Sequence, residues 1–102
     1  MEILIDKKGT QTRFTVKGEI DERGAEILKN RFQEINRSPL KKLVFDFKNV
    51  NYIGSSGIGK LLLFYKDLAP SGGSIFIENV SEEIYELLMD LDLNTIITTT
   101  KA

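Results

Sequence analysis

The sequence predicts an α/β fold with a mixed sheet of four to five strands and helices packed largely on one face. Two patterns support this fold: short apolar runs with strand-like alternation, and longer segments whose apolar residues recur at the 3.6-residue helical period. Their order is β-β-α-β-α-β-α-β, and right-handed crossovers between parallel strands place the helices on one side. The 102 residues, 41% of them hydrophobic, predict a single domain over residues 1–102.

The first two strands form an antiparallel hairpin. Ile3 and Ile5 alternate with polar neighbours, and so do Phe14 and Val16 on the other side of the turn Lys7–Thr10. This alternation is typical of a hairpin with one buried face.

A helix and a buried strand follow the hairpin. Asp21 is the predicted N-cap of the helix, and Ser38-Pro39 ends it. Its apolar residues at helical spacing are Ala25, Leu28, Phe32 and Ile35. The run Leu43–Phe47 is almost continuously apolar, which predicts the middle strand of the sheet, covered on both faces or tucked under helices. Asp46 within it is interpreted as a strand-end or loop-fixing carboxylate.

The second helix begins in the glycine-serine segment and ends near Pro70. A broad apolar stripe along it is expected to pack on the sheet, formed by Ile58, Leu61, Leu62, Tyr65 and Leu68.

The last third of the chain predicts a strand, a helix and a short final strand. Ser74–Glu78 is the strand, and Ser81 is the predicted N-cap of the third helix. Four residues of that helix are expected to face inward: Ile84, Leu87, Leu88 and Leu91. Ile96-Ile97 predicts the final strand, and Thr98–Ala102 a frayed end.

Composition excludes several classes of function. The chain has no cysteine and no histidine, which removes disulfides, thiol nucleophiles, Ser-His-Asp triads and Cys/His zinc sites, and no other metal or catalytic site is expected. Fourteen basic and fifteen acidic residues give a net charge of −1, so nucleic acid is not an expected partner. No apolar run is long enough for a membrane span, and the N-terminus does not resemble a signal peptide, so we expect a cytoplasmic protein.

The segment Tyr52–Lys60 carries two serines and three glycines between a strand and a helix. Such a junction handles phosphate, either by binding a nucleotide at the helix N-terminus or by carrying a phosphate on a serine. Gly54, Gly59 and Lys60 match a phosphate-binding loop, which leaves open a small nucleotide-binding or ATPase domain. Leu61, however, stands where that motif has the hydroxyl that holds magnesium.

Three segments in order, Gly18–Asp21, Leu43–Val50 and Tyr52–Gly59, resemble the STAS domain family of bacterial anti-sigma factor antagonists. In that family a Gly-Glu-hydrophobic-Asp turn precedes the first helix, and an Asp-Ser-Ser-Gly segment carries the serine that a partner kinase phosphorylates. The resemblance spans nearly the whole chain and implies a STAS-like fold.

The resemblance also implies the site residues. The phosphoacceptor is Ser55, the first serine of the pair, with Ser56 as its helix-capping neighbour and the second candidate. Gly54 stands where the family has an acidic residue. Lys60, about one helical turn along, is a candidate partner for the phosphate, although an ordinary solvated lysine is the simpler interpretation. The implied partner-binding surface consists of Gly18, Glu19, Asp21, Gly54, Ser55, Ser56, Gly57 and Lys60.

The function implied is regulatory and not enzymatic. The unphosphorylated form would bind an anti-sigma factor that is also a GHKL-type serine kinase, which would free a sigma factor. Phosphorylation would break the complex and a PP2C-like phosphatase would restore it. The protein itself would need no cofactor, because ATP belongs to the kinase. Gly54 keeps a second possibility open, a STAS scaffold or transporter-regulating subunit that binds its partner without phosphorylation.

Overall fold

A computed structural model describes all 102 residues. It contains five strands and three α-helices in the predicted order: β1 (Glu2–Lys8), β2 (Gln11–Ile20), α1 (Glu22–Glu34), β3 (Lys42–Ile53), α2 (Ser55–Leu68), β4 (Ser74–Val80), α3 (Glu82–Asp90) and β5 (Thr98–Lys101). Short 3₁₀ turns follow α2 at Ala69–Ser71 and α3 at Leu93–Thr95. None of the helices combines the length and the apolar character needed to cross a membrane.

The strands form one sheet in the order β1-β2-β3-β4-β5. β1 and β2 pair antiparallel as a hairpin, whereas the other three pairs are parallel. The predictions of a mixed sheet and of β3 as its middle strand are therefore confirmed.

The hydrophobic core lies on the face of the sheet that the helices cover. It is one cluster of 23 buried residues drawn from all three α-helices and from the sheet. Phe64 of α2 stacks on Phe32 of α1 at 4.2 Å between ring centroids and lies 6.0 Å from Phe45 of β3. The stripe predicted for α2 omitted Phe64, although Phe64 joins the two helices to the sheet.

The opposite face of the sheet carries no helix, so β3 is covered by helices on one face and not on both. Val44 points to this uncovered face and is nevertheless only 1% exposed. It pairs in register with Arg13 of β2 and Phe76 of β4, whose side chains share that face. The Arg13 guanidinium spans all three central strands, donating to Asp46 at 3.0 Å and to Glu78 at 2.9 Å.

Asp46 accepts three hydrogen bonds, more than any other carboxylate in the protein. Burial is the largest influence on its pKa and acts to raise it. The backbone N–H of Lys48, the amide of Asn79 and the guanidinium of Arg13 donate to its oxygens at 3.0, 3.1 and 3.0 Å. These hydrogen bonds outweigh burial, so the pKa of Asp46 lies below its usual value of 3.8. The prediction that Asp46 ends its strand or fixes a loop is wrong, because β3 continues to Ile53 and all three partners lie in strands.

The free energy of unfolding at acid pH should depend on whether the Asp46 carboxyl group is ionised. Because its folded-state pKa is lowered, its contribution is complete above the unfolded value of 3.8 and is lost as the pH falls through the folded value. We expect Asp46→Asn to lower the free energy of unfolding by about 1 kcal/mol near neutral pH. The difference from wild type should shrink below about pH 4, as urea unfolding at the two pH values would measure. A difference that stays constant with pH would contradict this assignment.

Two predictions for the end of the chain are wrong. The final strand is Thr98–Lys101 and not Ile96-Ile97, and the residues expected to fray pair with β4. Ile97 is buried just before the strand begins. In α3 only Ile84 and Leu88 are buried.

Leu87 and Leu91 were also expected to face inward, but they are 37% and 49% exposed. Leu87 lies on the flank of the buried stripe, and Leu91 is the C-cap residue, where the helix ends.

Candidate functional site

The candidate site is the junction between β3 and α2. β3 ends at Ile53, Gly54 is the N-cap in an extended conformation, and α2 begins at Ser55. The N-cap offers no side-chain hydrogen bond to the free N–H groups of the first turn. Ser55 is exposed, whereas Ser56 is half-buried within the first turn. The prediction that Ser56 caps the helix is wrong because the helix begins one residue before it.

The end of β2 lies directly against this junction. The backbone N–H of Gly54 donates to the carbonyl oxygen of Ile20 at 3.0 Å. Gly57 is buried against the same strand ends: a Cβ on it would lie 2.6 Å from Cγ2 of Ile20 and 2.7 Å from Cγ1 of Ile53. Gly57 therefore sets how closely α2 approaches the sheet and presents no side chain to a partner.

The segment Gly18–Asp21 is brought to the site as predicted, but it is not a turn. Gly18, Glu19 and Ile20 are the last residues of β2 and pair with β3. Asp21 then caps α1, accepting a hydrogen bond from the backbone N–H of Gly24 at 2.8 Å, as predicted. Glu19 and Asp21 are exposed, and Gly18 is half-buried. Carboxylates therefore border one side of the junction.

Lys60 does not face Ser55. Its ammonium group lies 3.9 Å from a carboxylate oxygen of Glu26 on α1, and its side chain is only 23% exposed. Leu61 is fully buried in the core. In this arrangement Lys60 links α2 to α1, and the position where a phosphate-binding loop needs a hydroxyl is filled by a core leucine.

Tyr52 occupies the space beside Gly54. The Tyr52 side chain is 51% exposed, and a Cβ placed on Gly54 would lie 2.8 Å from its hydroxyl oxygen. The φ of Gly54 is −100°, which any residue can adopt, so the backbone does not require glycine here. An acidic side chain at this position would have to displace the tyrosine hydroxyl. Sequence analysis did not single out Tyr52, which follows the strand motif as an ordinary aromatic residue.

A groove of about 380 Å³ runs from this junction to α3. One wall is formed by Ser55 and Ile58 of α2, the other by Leu87 and Leu91 of α3, with Ile53 and Gly54 between them. Sequence analysis missed this feature because it placed both leucines in the core. The carboxylates at Glu83 and Asp90, beside Leu87 on the helix surface, were the available signal that this flank faces water.

The arrangement can present a serine hydroxyl to a kinase. No group of three or more acidic, histidine or cysteine side chains is positioned to bind a metal ion. Ser55 is exposed at a helix N-terminus, where a phosphate is favoured by the helix dipole. The residues that surround it are glycines, apolar groove residues and the carboxylates at the start of α1.

The sequence model of the STAS domain family matches residues 2–102. An anti-sigma-B factor antagonist from Bacillus subtilis (strain 168) is 29% identical over 99 residues, which cover 95% of this chain and 90% of the relative. An anti-sigma F factor antagonist from Paenibacillus polymyxa is 29% identical over 72 residues. That match covers 70% of this chain and spans only 62% of the relative's length.

Solved structures share the fold. An anti-sigma factor antagonist from Mycobacterium paratuberculosis has a TM-score of 0.85 at 20% identity, covering 99% of this chain and 86% of that one. The Bacillus cell fate determinant SpoIIAA in its phosphorylated form has a TM-score of 0.75 at 16% identity, with coverages of 96% and 90%. At these identities the likeness concerns the fold, a five-stranded mixed sheet with three helices.

Proposed function

This chain belongs to the STAS domain family, and from that premise we propose that it is an anti-sigma factor antagonist switched by phosphorylation of Ser55. The observation that carries the proposal is the position of Ser55, exposed as the first residue of α2. A phosphate there changes the surface and leaves the core intact. Two relatives named as anti-sigma factor antagonists support the same assignment. This chain matches 90% of the length of one and 62% of the length of the other.

The partner in this proposal is an anti-sigma factor that is also a GHKL-type serine kinase. The unphosphorylated protein binds it and frees a sigma factor, phosphorylation releases it, and a PP2C-like phosphatase resets the cycle. ATP belongs to the kinase, and the antagonist needs no cofactor and catalyses no reaction. Such an exchange takes place in the cytoplasm, where the transcription machinery is found.

The exposed part of the partner-binding surface is formed by Glu19, Asp21 and Ser55. Gly18, Gly54 and Ser56 are half-buried and contribute backbone, and Gly57 contributes close packing. Lys60 is assigned to the α1–α2 contact through Glu26.

A scaffold that binds its partner without phosphorylation is the second candidate. The observation that favours it is Gly54, where the family has an acidic residue and where Tyr52 fills the space. A nucleotide-binding role is weakly supported, since Lys60 is paired with Glu26 and Leu61 is buried.

A phosphorylation assay with the kinase distinguishes between these candidate functions. Incubation with ATP and the purified GHKL-type anti-sigma kinase from the same genome should add one phosphate to Ser55, because Ser55 is exposed and Ser56 is half-buried. Phosphopeptide mass spectrometry should show that the label is lost in Ser55→Ala and kept in Ser56→Ala.

Phosphate that is still incorporated into Ser55→Ala but not into Ser56→Ala would show that Ser56 is the acceptor. A kinase that binds the protein and never labels it would favour the scaffold.

A further inference from the structure

Tyr52 lies near the end of β3, against the residue that precedes Ser55. It pairs in register with Glu19 of β2, so the two side chains leave the sheet on the same face. A Cβ placed on Gly54 would lie 2.8 Å from the Tyr52 hydroxyl oxygen and 3.4 Å from two carbons of its ring. The phenol therefore lies over Gly54, and its hydroxyl is held next to the start of α2.

No group inside the protein uses this hydroxyl. It takes part in none of the side-chain hydrogen bonds, and Tyr52 is 51% exposed. Since the φ of Gly54 does not require glycine, the glycine serves to leave room for the ring. An apolar ring with a free polar end is the combination that makes tyrosine frequent in protein–protein interfaces.

The chemistry of a phenol differs from that of the acidic side chain that the family has in place of Gly54. Glu19 and Asp21 form none of the ion pairs of the protein, so the surface beside Tyr52 already carries uncompensated negative charge. A carboxylate only accepts hydrogen bonds, whereas an uncharged phenol can also donate one. Tyr52 therefore supplies the donor that the neighbouring carboxylates cannot.

We propose that the Tyr52 hydroxyl determines which anti-sigma kinase this protein accepts, by donating a hydrogen bond to an oxygen acceptor on the kinase surface that faces Ser55. Gly54 and Tyr52 act as one unit, because the glycine leaves room for the phenol that replaces an acidic side chain. A kinase that presents a cation there, suited to an aspartate, would leave that cation facing an uncharged group and bind weakly. This inference rests on the proposed function and adds the chemistry of the partner surface.

The test is Tyr52→Phe, which removes the hydroxyl and keeps the ring. Its affinity for the purified GHKL-type anti-sigma kinase from the same genome, with ADP, should fall about tenfold in calorimetry, because the acceptor on the kinase is left unpaired. In the phosphorylation assay the KM for the antagonist should rise by a similar factor while kcat stays at the wild-type value. Thermal unfolding should be unchanged, because the hydroxyl makes no hydrogen bond within the protein.

The matched control is Tyr65→Phe. It removes the hydroxyl of a half-buried tyrosine farther along α2 and should behave as wild type in the binding and phosphorylation measurements.

The double variant Gly54→Asp/Tyr52→Phe tests the nature of the group on the kinase. Loss of the hydroxyl removes the closest contact of the aspartate Cβ, but a carboxylate cannot donate a hydrogen bond. The affinity should therefore be no higher than that of Tyr52→Phe. Recovery of wild-type affinity would show that the kinase presents a cation there and would overturn the proposal.

The remaining outcomes separate this inference from the proposed function. Wild type that binds and is phosphorylated, while Tyr52→Phe keeps full affinity, overturns the contact and leaves the proposed function standing. A fall in kcat at unchanged affinity would show that the hydroxyl positions Ser55 and does not contact the kinase, which also overturns the proposal. Wild type that neither binds nor accepts phosphate overturns both. If the kinase binds without adding phosphate, calorimetry alone decides whether Tyr52 makes the contact.

Discussion

Ser55→Asp should weaken binding to the anti-sigma kinase by about a hundredfold, which corresponds to about 2.7 kcal/mol. The new carboxylate stands on the wall of the apolar groove, and a partner side chain seated there would have to desolvate it. The fold should tolerate the change, because Ser55 is exposed and a negative charge at a helix N-terminus gains about 0.3–1 kcal/mol from the dipole. Calorimetry should report the loss of affinity, and thermal unfolding should report an unchanged or slightly raised midpoint.

The matched control is Ser55→Asn, which has nearly the shape of the aspartate and no charge. It should retain most of the affinity, so that charge and size are separated. Equal affinity for wild type and Ser55→Asp would refute the surface switch, and an unfolded Ser55→Asp protein would refute the claim that the switch leaves the core intact.

Gly57→Ala and Gly59→Ala should change stability in opposite directions. A methyl group on Gly57 meets Ile20 and Ile53 at contact distances that real structures do not tolerate, so α2 must shift, at a net cost of about 2 kcal/mol. Gly59, in the same helix, has nothing within 4 Å of its Cβ position. Alanine there should stabilise the protein by about 0.5–1 kcal/mol, through helix propensity alone.

Urea unfolding of the two variants measures this contrast. The Gly57→Ala protein should also bind the kinase more weakly, because the displaced helix carries Ser55 away from Glu19 and Asp21. If both alanine variants are stabilising, Gly57 does not set the approach of α2 to the sheet.

The parts of the fold that sequence predicted well are those where one pattern determined the outcome. The alternation around Ile3 and Phe14 required a hairpin with one buried face, and Asp21 and Ser81 capped the helices that they precede. The order of the elements then left few arrangements of the sheet. The serine at the start of α2 was likewise predictable, because glycines and a strand end place it there.

The missed features depend on tertiary contacts that no local pattern contains. Thr98–Lys101 has no apolar alternation, and it becomes a strand because β4 offers an edge with which it pairs. Leu87 and Leu91 are apolar residues in a helix, yet whether such residues are buried depends on what packs beside them, and α2 leaves a groove there. No sequence pattern predicted the role of Tyr52, because its side chain fills the space that Gly54 leaves free, and this is a contact of the folded protein.

The parallel pairing of β2 with β3 also determines at which stage of folding a kinase can recognise the serine. Only β1 and β2 are joined by a short turn, whereas a helix separates the two strands of every other pair. Phe14 therefore pairs with Phe45 across the whole length of α1 before the ends of β2 and β3 meet. Such non-local pairing forms slowly because loop closure must come first. Ile20 and Ile53 hold the start of α2 only after that step, so a nascent or misfolded chain displays two serines without the surface around them. Recognition of that surface would confine modification to molecules that have completed folding.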